Sequence, residues 1–163
     1  MLTERGVPVI APNLPGHGGD VARLGGVGDD AARVREVIGS VDGEVVLFGH
    51  SYGGIVISET ARDSTAAAKI AHLVYLCAIC VPQGKTWLDV ESDYSKSTGE
   101  PLPATYVPCT DDRMIPIEAQ REFVASCRPV ALDLTELEWP TSHSPFFSRP
   151  DLVADLLEAL ARA

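Results

Sequence analysis

Val45-Val46-Leu47-Phe48-Gly49-His50-Ser51-Tyr52-Gly53-Gly54 decides the fold. Its first four residues are apolar and rich in β-formers, which predicts a buried strand. Gly49 to Gly53 spells G-x-S-x-G, and Ile55 to Ala61 continues as a helix. Strand, sharp turn and helix are the context in which this pattern is a nucleophile elbow. The turn forces the serine into a strained backbone conformation, and residues close by must lack side chains. Ser51 Oγ is then expected at the carboxyl edge of a sheet. A serine hydroxyl is a weak nucleophile, so a base is needed from elsewhere.

Outward from the elbow, apolar segments alternate with helical periodicity. Val7 to Ala11 reads as a short strand, and Asn13 to Asp20 as a loop dense in Gly and Pro. Asp29 to Ile38 places apolar residues at Ala31, Val34, Val37 and Ile38, a helical spacing that Gly39 stops. Beyond the elbow, the helix runs to about Asp63. Ile70 to Cys77 is near-continuously apolar, as in a strand buried on both faces. Lys85 to Pro103 is polar and aperiodic and reads as a loop or a very small cap. A fourth strand is expected over Ala104 to Cys109, a helix over Pro116 to Ser126 and a fifth strand over Val130 to Leu137. Thr141 to Arg149 reads as a loop before an amphipathic terminal helix, Pro150 to Ala161. This alternation predicts a single α/β domain over 1–163, a mostly parallel sheet with helices on both faces, and a reduced cap at 85–103.

The 163 residues carry 13 Lys and Arg against 23 Asp and Glu, a net charge of −10. That balance, with no basic cluster, argues against nucleic acid or an anionic membrane as partner. No apolar run approaches the roughly 20 residues that span a bilayer. The first residues lack the apolar core of a signal peptide, so a cytoplasmic location is expected. Cys77 and Cys80 match C-x-x-C, but they close a strand instead of opening a helix. They are expected as reduced, half-buried thiols, with neither redox nor metal chemistry.

Ligands of an open α/β sheet sit at the carboxyl ends of the strands. Two further loops are expected there: Thr110-Asp111-Asp112-Arg113 and Thr141-Ser142-His143-Ser144-Pro145. Ser, then Asp, then His is the order of an α/β-hydrolase triad. His143 has the position of the base that takes the Ser51 proton, and Asp111 or Asp112 that of the carboxylate that orients it. His17 precedes the nucleophile, His50 abuts it, and His72 starts a strand at the opposite end of the sheet.

Taken together, these segments resemble the α/β-hydrolase superfamily, and more narrowly the group of plant methyl-ester esterases, hydroxynitrile lyases and bacterial esterase-like relatives. The resemblance rests on Ala11-Pro12-Asn13-Leu14-Pro15-Gly16-His17-Gly18, the elbow, His72-Leu73-Val74-Tyr75-Leu76, Cys109 to Pro116 and Ser142-His143-Ser144-Pro145-Phe146. Laid over Thr110 to Pro116, the family pattern T-x-D-x-x-I-P puts the acid on Asp112. The resemblance implies a serine hydrolase of small carboxylic esters with a Ser51–His143–Asp112 triad, no cofactor and no metal. It implies the Tyr52 backbone N–H as one oxyanion donor. His50, beside the elbow, and Trp87, Leu88 and Tyr94 of the small cap are expected to line the substrate pocket. The lyases carry a Lys beside the catalytic His, whereas Ser142 and Ser144 flank His143, which favours ester hydrolysis over cyanohydrin cleavage.

The resemblance also implies an earlier strand, ending in His-Gly, that lies between Val7–Ala11 and the elbow strand and supplies the second oxyanion donor. The sequence begins after that point. The two strands are then expected to close up, or to recruit a strand, or to belong to a fragment. His17-Gly18 is a weak substitute for the missing motif. A truncated or catalytically degenerate hydrolase fold is therefore the alternative, and an exposed sheet edge would favour self-association.

Overall fold

The computed structural model describes residues 1–17, 24–80, 102–127 and 132–163. Four strands form one sheet: β1 (Val45–His50), β2 (Ile70–Leu76), β3 (Pro103–Val107) and β4 (Leu132–Glu136). They lie side by side in sequence order, and every pair is parallel. The helices are α1 (Val27–Ser40), α2 (Gly53–Thr60), α3 (Ser64–Ala67), α4 (Ile117–Cys127), α5 (Pro145–Ser148) and α6 (Pro150–Ala161).

Alternation along the strands builds two cores. Leu73 and Tyr75 of β2, with Ala104 and Tyr106 of β3, pack with residues of α1, α2 and α4. Leu76 and Val107, pointing the other way, pack with Val153, Leu156 and Leu157 of α6. The expected arrangement, a parallel sheet with helices on both faces, is the one observed.

Three expectations are corrected. Val7 to Ala11 joins no strand ladder, so β1 ends the described sheet and does not pair with it. Pro8 and Pro12 have no N–H to donate, and the side chains of the segment do not pack inward: Val9 is 54 % and Ile10 60 % exposed. As an edge strand, β1 is only half-buried where β2 and β3 are buried. Cys80 is joined to Cys127 in a disulfide, so it is not a reduced thiol. Cys127 is the last residue of α4, so the bond ties the end of α4 to the chain that leaves β2. Finally, Thr141 to Arg149 contains the short helix α5, opened by Pro145 at its first turn. The expected cap lies outside the described residues except at its end, where Pro103 already opens β3. Among the described residues no helix is long and apolar enough to cross a membrane.

The elbow glycines differ in what they do. A Cβ on Gly49 would lie 2.6 Å from the Gly53 carbonyl oxygen, and one on Gly54 2.5 Å from the Ile79 carbonyl oxygen. A Cβ on Gly53 would meet nothing within 4 Å. Gly54→Ala is therefore expected to cost about 1–3 kcal/mol as overpacking against backbone. Gly53→Ala should stay within about 0.5 kcal/mol of the wild type. Urea unfolding of both variants checks the contrast.

Candidate active site

Ser51 sits between β1 and α2 with φ +53°, in the left-handed region that non-glycine residues rarely enter. Hydrogen bonds hold it there. Its N–H donates to the Leu76 carbonyl (3.2 Å), and its own carbonyl accepts from Gly54 N (3.0 Å) and Ile79 N (3.0 Å). The turn is thus tied to the chain leaving β2.

Asp112 and His143 meet because the β3–β4 pairing carries on past both strands. Trp139 N donates to Pro108 O (2.9 Å), Thr110 N to Trp139 O (2.9 Å) and Asp111 N to Thr141 O (3.1 Å). This ladder delivers the His143 loop to the end of β3, where His143 Nδ1 lies 2.7 Å from Asp112 Oδ2. Asp111 is exposed and Asp112 is buried, which separates the two carboxylates that the spacing left open.

Four donors face the Asp112 carboxylate. Met114 N (2.7 Å) and Ile115 N (3.0 Å) reach Oδ1, while Gln120 Nε2 (3.1 Å) joins His143 Nδ1 on Oδ2. Both oxygens of this buried carboxylate are therefore hydrogen-bonded, as burial requires. With the Nδ1 proton facing Asp112, the imidazole presents Nε2 as an acceptor. Ser51 Oγ makes no hydrogen bond to His143; such contacts are often long in ligand-free sites.

His50 lies against this pair as more than a wall of a pocket. Its Nε2 donates to the His143 carbonyl (2.6 Å), and its ring centre is 4.7 Å from the His143 ring and 4.9 Å, edge-on, from Phe146. Burial lowers its pKa, partly offset by the bond to that carbonyl. Phe146 packs into the α6 core, whereas Phe147 is 84 % exposed and meets the Phe146 ring edge-on at 4.8 Å. Trp87, Leu88 and Tyr94 lie outside the described residues.

Tyr52 follows the serine, and among the described residues its N–H has no acceptor. Its hydroxyl donates to Asp30 Oδ2 (2.8 Å). Burial first, then Asp30, pushes its pKa up to about 12. Asp30 is fully buried and also accepts from Gly16 N (2.6 Å). His17 belongs to this cluster: its ring is 4.7 Å from that of Tyr52, and its Nδ1 is 3.6 Å from Asp30 Oδ2. It packs on Tyr52, and Gly18 of the His17-Gly18 pair lies outside the described residues.

Gln120 and Asp30 escaped the sequence reading. Gln120 is fully buried on α4. It accepts from Cys109 N (2.9 Å) and donates to Ile115 O (2.7 Å) and Asp112 Oδ2 (3.1 Å). One signal was available: a glutamine on the face of α4 that also carries Phe123, Val124 and Cys127. Among the described residues, ligand atoms of His50, Cys77 and His143 lie within 4.8 Å of one another. Each is engaged by protein: His50 by the His143 carbonyl, His143 by Asp112 and Cys77 by Cys109.

A G-x-S-x-G turn at positive φ, a strand-end carboxylate–imidazole pair and a parallel sheet define an α/β-hydrolase. Residues 2–104 match the Alpha/beta hydrolase family, and the chain belongs to it. Among curated proteins it is 25 % identical over 232 residues to a pyrethroid hydrolase of Sphingobium wenxiniae, an alignment covering all of this chain and 81 % of that protein. It is 29 % identical over 136 residues to a carbendazim hydrolyzing esterase of Nocardioides sp., covering 81 % of this chain and 47 % of that one. Among solved structures, a pyrethroid hydrolase from Sphingobium faniae superposes with a TM-score of 0.77 at 22 % identity, covering 99 % of this chain and 89 % of that one. A methylesterase from Arabidopsis gives 0.71 at 20 % identity, covering 99 % and 90 %.

Two outcomes follow from this geometry. Gln120→Leu strips a donor from Asp112 and leaves Cys109 N–H buried without its acceptor. It should cost about 1–3 kcal/mol in urea unfolding. The second concerns pH. Burial lowers the pKa of both His50 and His72 below the ordinary 6.5. The folded state therefore binds fewer protons than the unfolded chain in this range. Stability is full above pH 6.5 and lost as pH falls through 6.5 toward the folded values. The urea midpoint should drop over that window, and His72→Gln should flatten the drop.

Proposed function

We propose that the protein is a serine hydrolase of small carboxylic esters. The single observation that carries the reading is the 2.7 Å Asp112–His143 bond, set at the same end of the sheet as a serine at positive φ. In this reading Ser51 Oγ attacks the acyl carbon while His143 Nε2 takes its proton. Asp112 holds Nδ1–H and stabilises the imidazolium that forms. His143 then gives the proton to the leaving alcohol. Water, activated by the same imidazole, releases the acid and regenerates Ser51. Tyr52 N–H faces the developing oxyanion as one donor. The mechanism needs no metal or cofactor. The names of the relatives, a pyrethroid hydrolase, a carbendazim hydrolyzing esterase and a methylesterase, support a small ester as substrate. A cytosolic location belongs to the same proposal. The Cys80–Cys127 disulfide pulls against it, since reducing compartments rarely maintain such bonds.

A second reading has its own observation. Ser51 Oγ is not hydrogen-bonded to His143, and among the described residues Tyr52 N–H is the one oxyanion donor the elbow offers. The first also occurs in ligand-free hydrolases, whereas an oxyanion hole left with a single donor is what a degenerate fold would have. A fluorophosphonate probe read by intact mass separates the two. One adduct per chain, lost in Ser51→Ala, is expected of the hydrolase. No adduct on well-folded wild type favours the degenerate fold. With a short-chain activated ester, Ser51→Ala and His143→Ala should each lower kcat/KM by about 10³-fold or more. Turnover unchanged in Ser51→Ala overturns the proposal.

A further inference from the structure

Two thiols lie beneath the acid–base pair, and ester hydrolysis uses neither. Cys77 follows β2, Cys109 follows β3, and both are free and fully buried. Cys77 N donates to Val107 O (3.0 Å), which sets the two residues diagonally across adjacent parallel strands. Their Sγ atoms are 2.8 Å apart. A disulfide requires about 2.05 Å, so a shift of less than an ångström closes the gap.

Both sulfurs also touch the loop that bears His143. Thr141 Oγ1 donates to Cys109 Sγ at 3.2 Å. Cys77 Sγ lies 3.6 Å from the His143 carbonyl oxygen, the same oxygen that accepts from His50. The backbone of Cys109 is bonded in both directions to Gln120, which holds Asp112. Few atoms can move in this pair without moving His143 or its carboxylate. Cys77 Sγ is within 4.8 Å of ligand atoms of His50 and His143, two side chains that are only partly buried.

We propose that Cys77 and Cys109 form a reversible disulfide with peroxide, and that the state of this pair sets the position of the His143 loop. The Cys109 sulfur attacks one peroxide oxygen and the O–O bond breaks, which leaves a sulfenic acid and one water. The Cys77 sulfur then attacks the sulfenic sulfur, the S–S bond forms, and a second water departs with the remaining proton. Two thiols lose two electrons and two protons, and one peroxide becomes two waters. Cys109 is the attacker because it accepts the Cys77 S–H, which holds its thiol below the ordinary value. Cys77 keeps the proton that it donates, and its own pKa is raised. Oxidation removes the S–H that Cys77 offers to its neighbours and draws the ends of β2 and β3 together under His143.

The disulfide does not depend on the hydrolytic reading; its effect on turnover rests on it. The test uses the whole chain, treated with hydrogen peroxide, quenched, and alkylated in denaturant without reductant. Untreated protein should take up two alkyl groups. Treated protein should take up none and weigh two hydrogen atoms less, with no added oxygen, and fragmentation should link Cys77 to Cys109. Ester turnover should fall by about threefold or more and recover with dithiothreitol. Cys77→Ala should form no linkage and stop at an oxygen adduct on Cys109. If that variant fails to fold, the thiol count on the wild type still decides. Two alkylatable thiols after peroxide, oxygen adducts in place of the linkage, or a linkage to Cys80 or Cys127 overturns the proposal. A Cys77–Cys109 linkage that leaves turnover unchanged overturns the coupling to His143. Wild type with no turnover from the start counts against the hydrolytic reading, and the thiol count stands apart from it.

Discussion

The arrangement depends on one turn. Ser51 at φ +53° is held by the carbonyl of Leu76 on one side and by the N–H groups of Gly54 and Ile79 on the other. A non-glycine residue in this region costs of order 1–3 kcal/mol unless its surroundings over-determine it. Here they do: β1 enters, α2 leaves, and the end of β2 is stitched to the middle. Gly49 and Gly54 let the three segments approach within distances no side chain allows. The strain is then a fixed property of the strand–helix junction, and the serine points where the sheet points it.

Two buried carboxylates frame that turn, and each is satisfied by neighbours that belong to different parts of the chain. Asp112 gathers the N–H groups of Met114 and Ile115, the amide of Gln120 and the imidazole of His143. Asp30 gathers Gly16 N–H and the hydroxyl of Tyr52. An unpaired buried charge would cost several kcal/mol. The partners are therefore as necessary as the carboxylates. They also tie α1 and the Pro15–His17 turn to the residue after the serine, and α4 to the acid behind the imidazole.

Local chemistry was legible in the sequence, and pairing at a distance was less so. The elbow, the helical period of α1 and the order Ser51, Asp112, His143 rest on contiguous residues, and the structure brings the last two together. Val7 to Ala11 has the composition of a strand, but a strand also needs a neighbour, and its prolines and exposed side chains show that β1 is not one. Four cysteines allow three pairings, and spacing alone does not choose among them. The Cys80–Cys127 bond depends on where α4 ends, and the closeness of Cys77 and Cys109 on the β2–β3 register. Gln120 sits on a helix face that reads as apolar; its role appears only when β3 and α4 are packed together. Trp87 and Leu88 belong to a stretch of sequence with no period that would place them.

The strand order β1-β2-β3-β4 is also the order in which the strands leave the ribosome. Each described strand pairs with the described strand made just before it. No described strand has to wait for a distant part of the chain or insert between two that are already paired. The sheet can therefore grow outward from β1 as the chain lengthens. Closing the His143 loop over Asp112 is then a late event: the Asp112–His143 pair is complete only after β4 has docked.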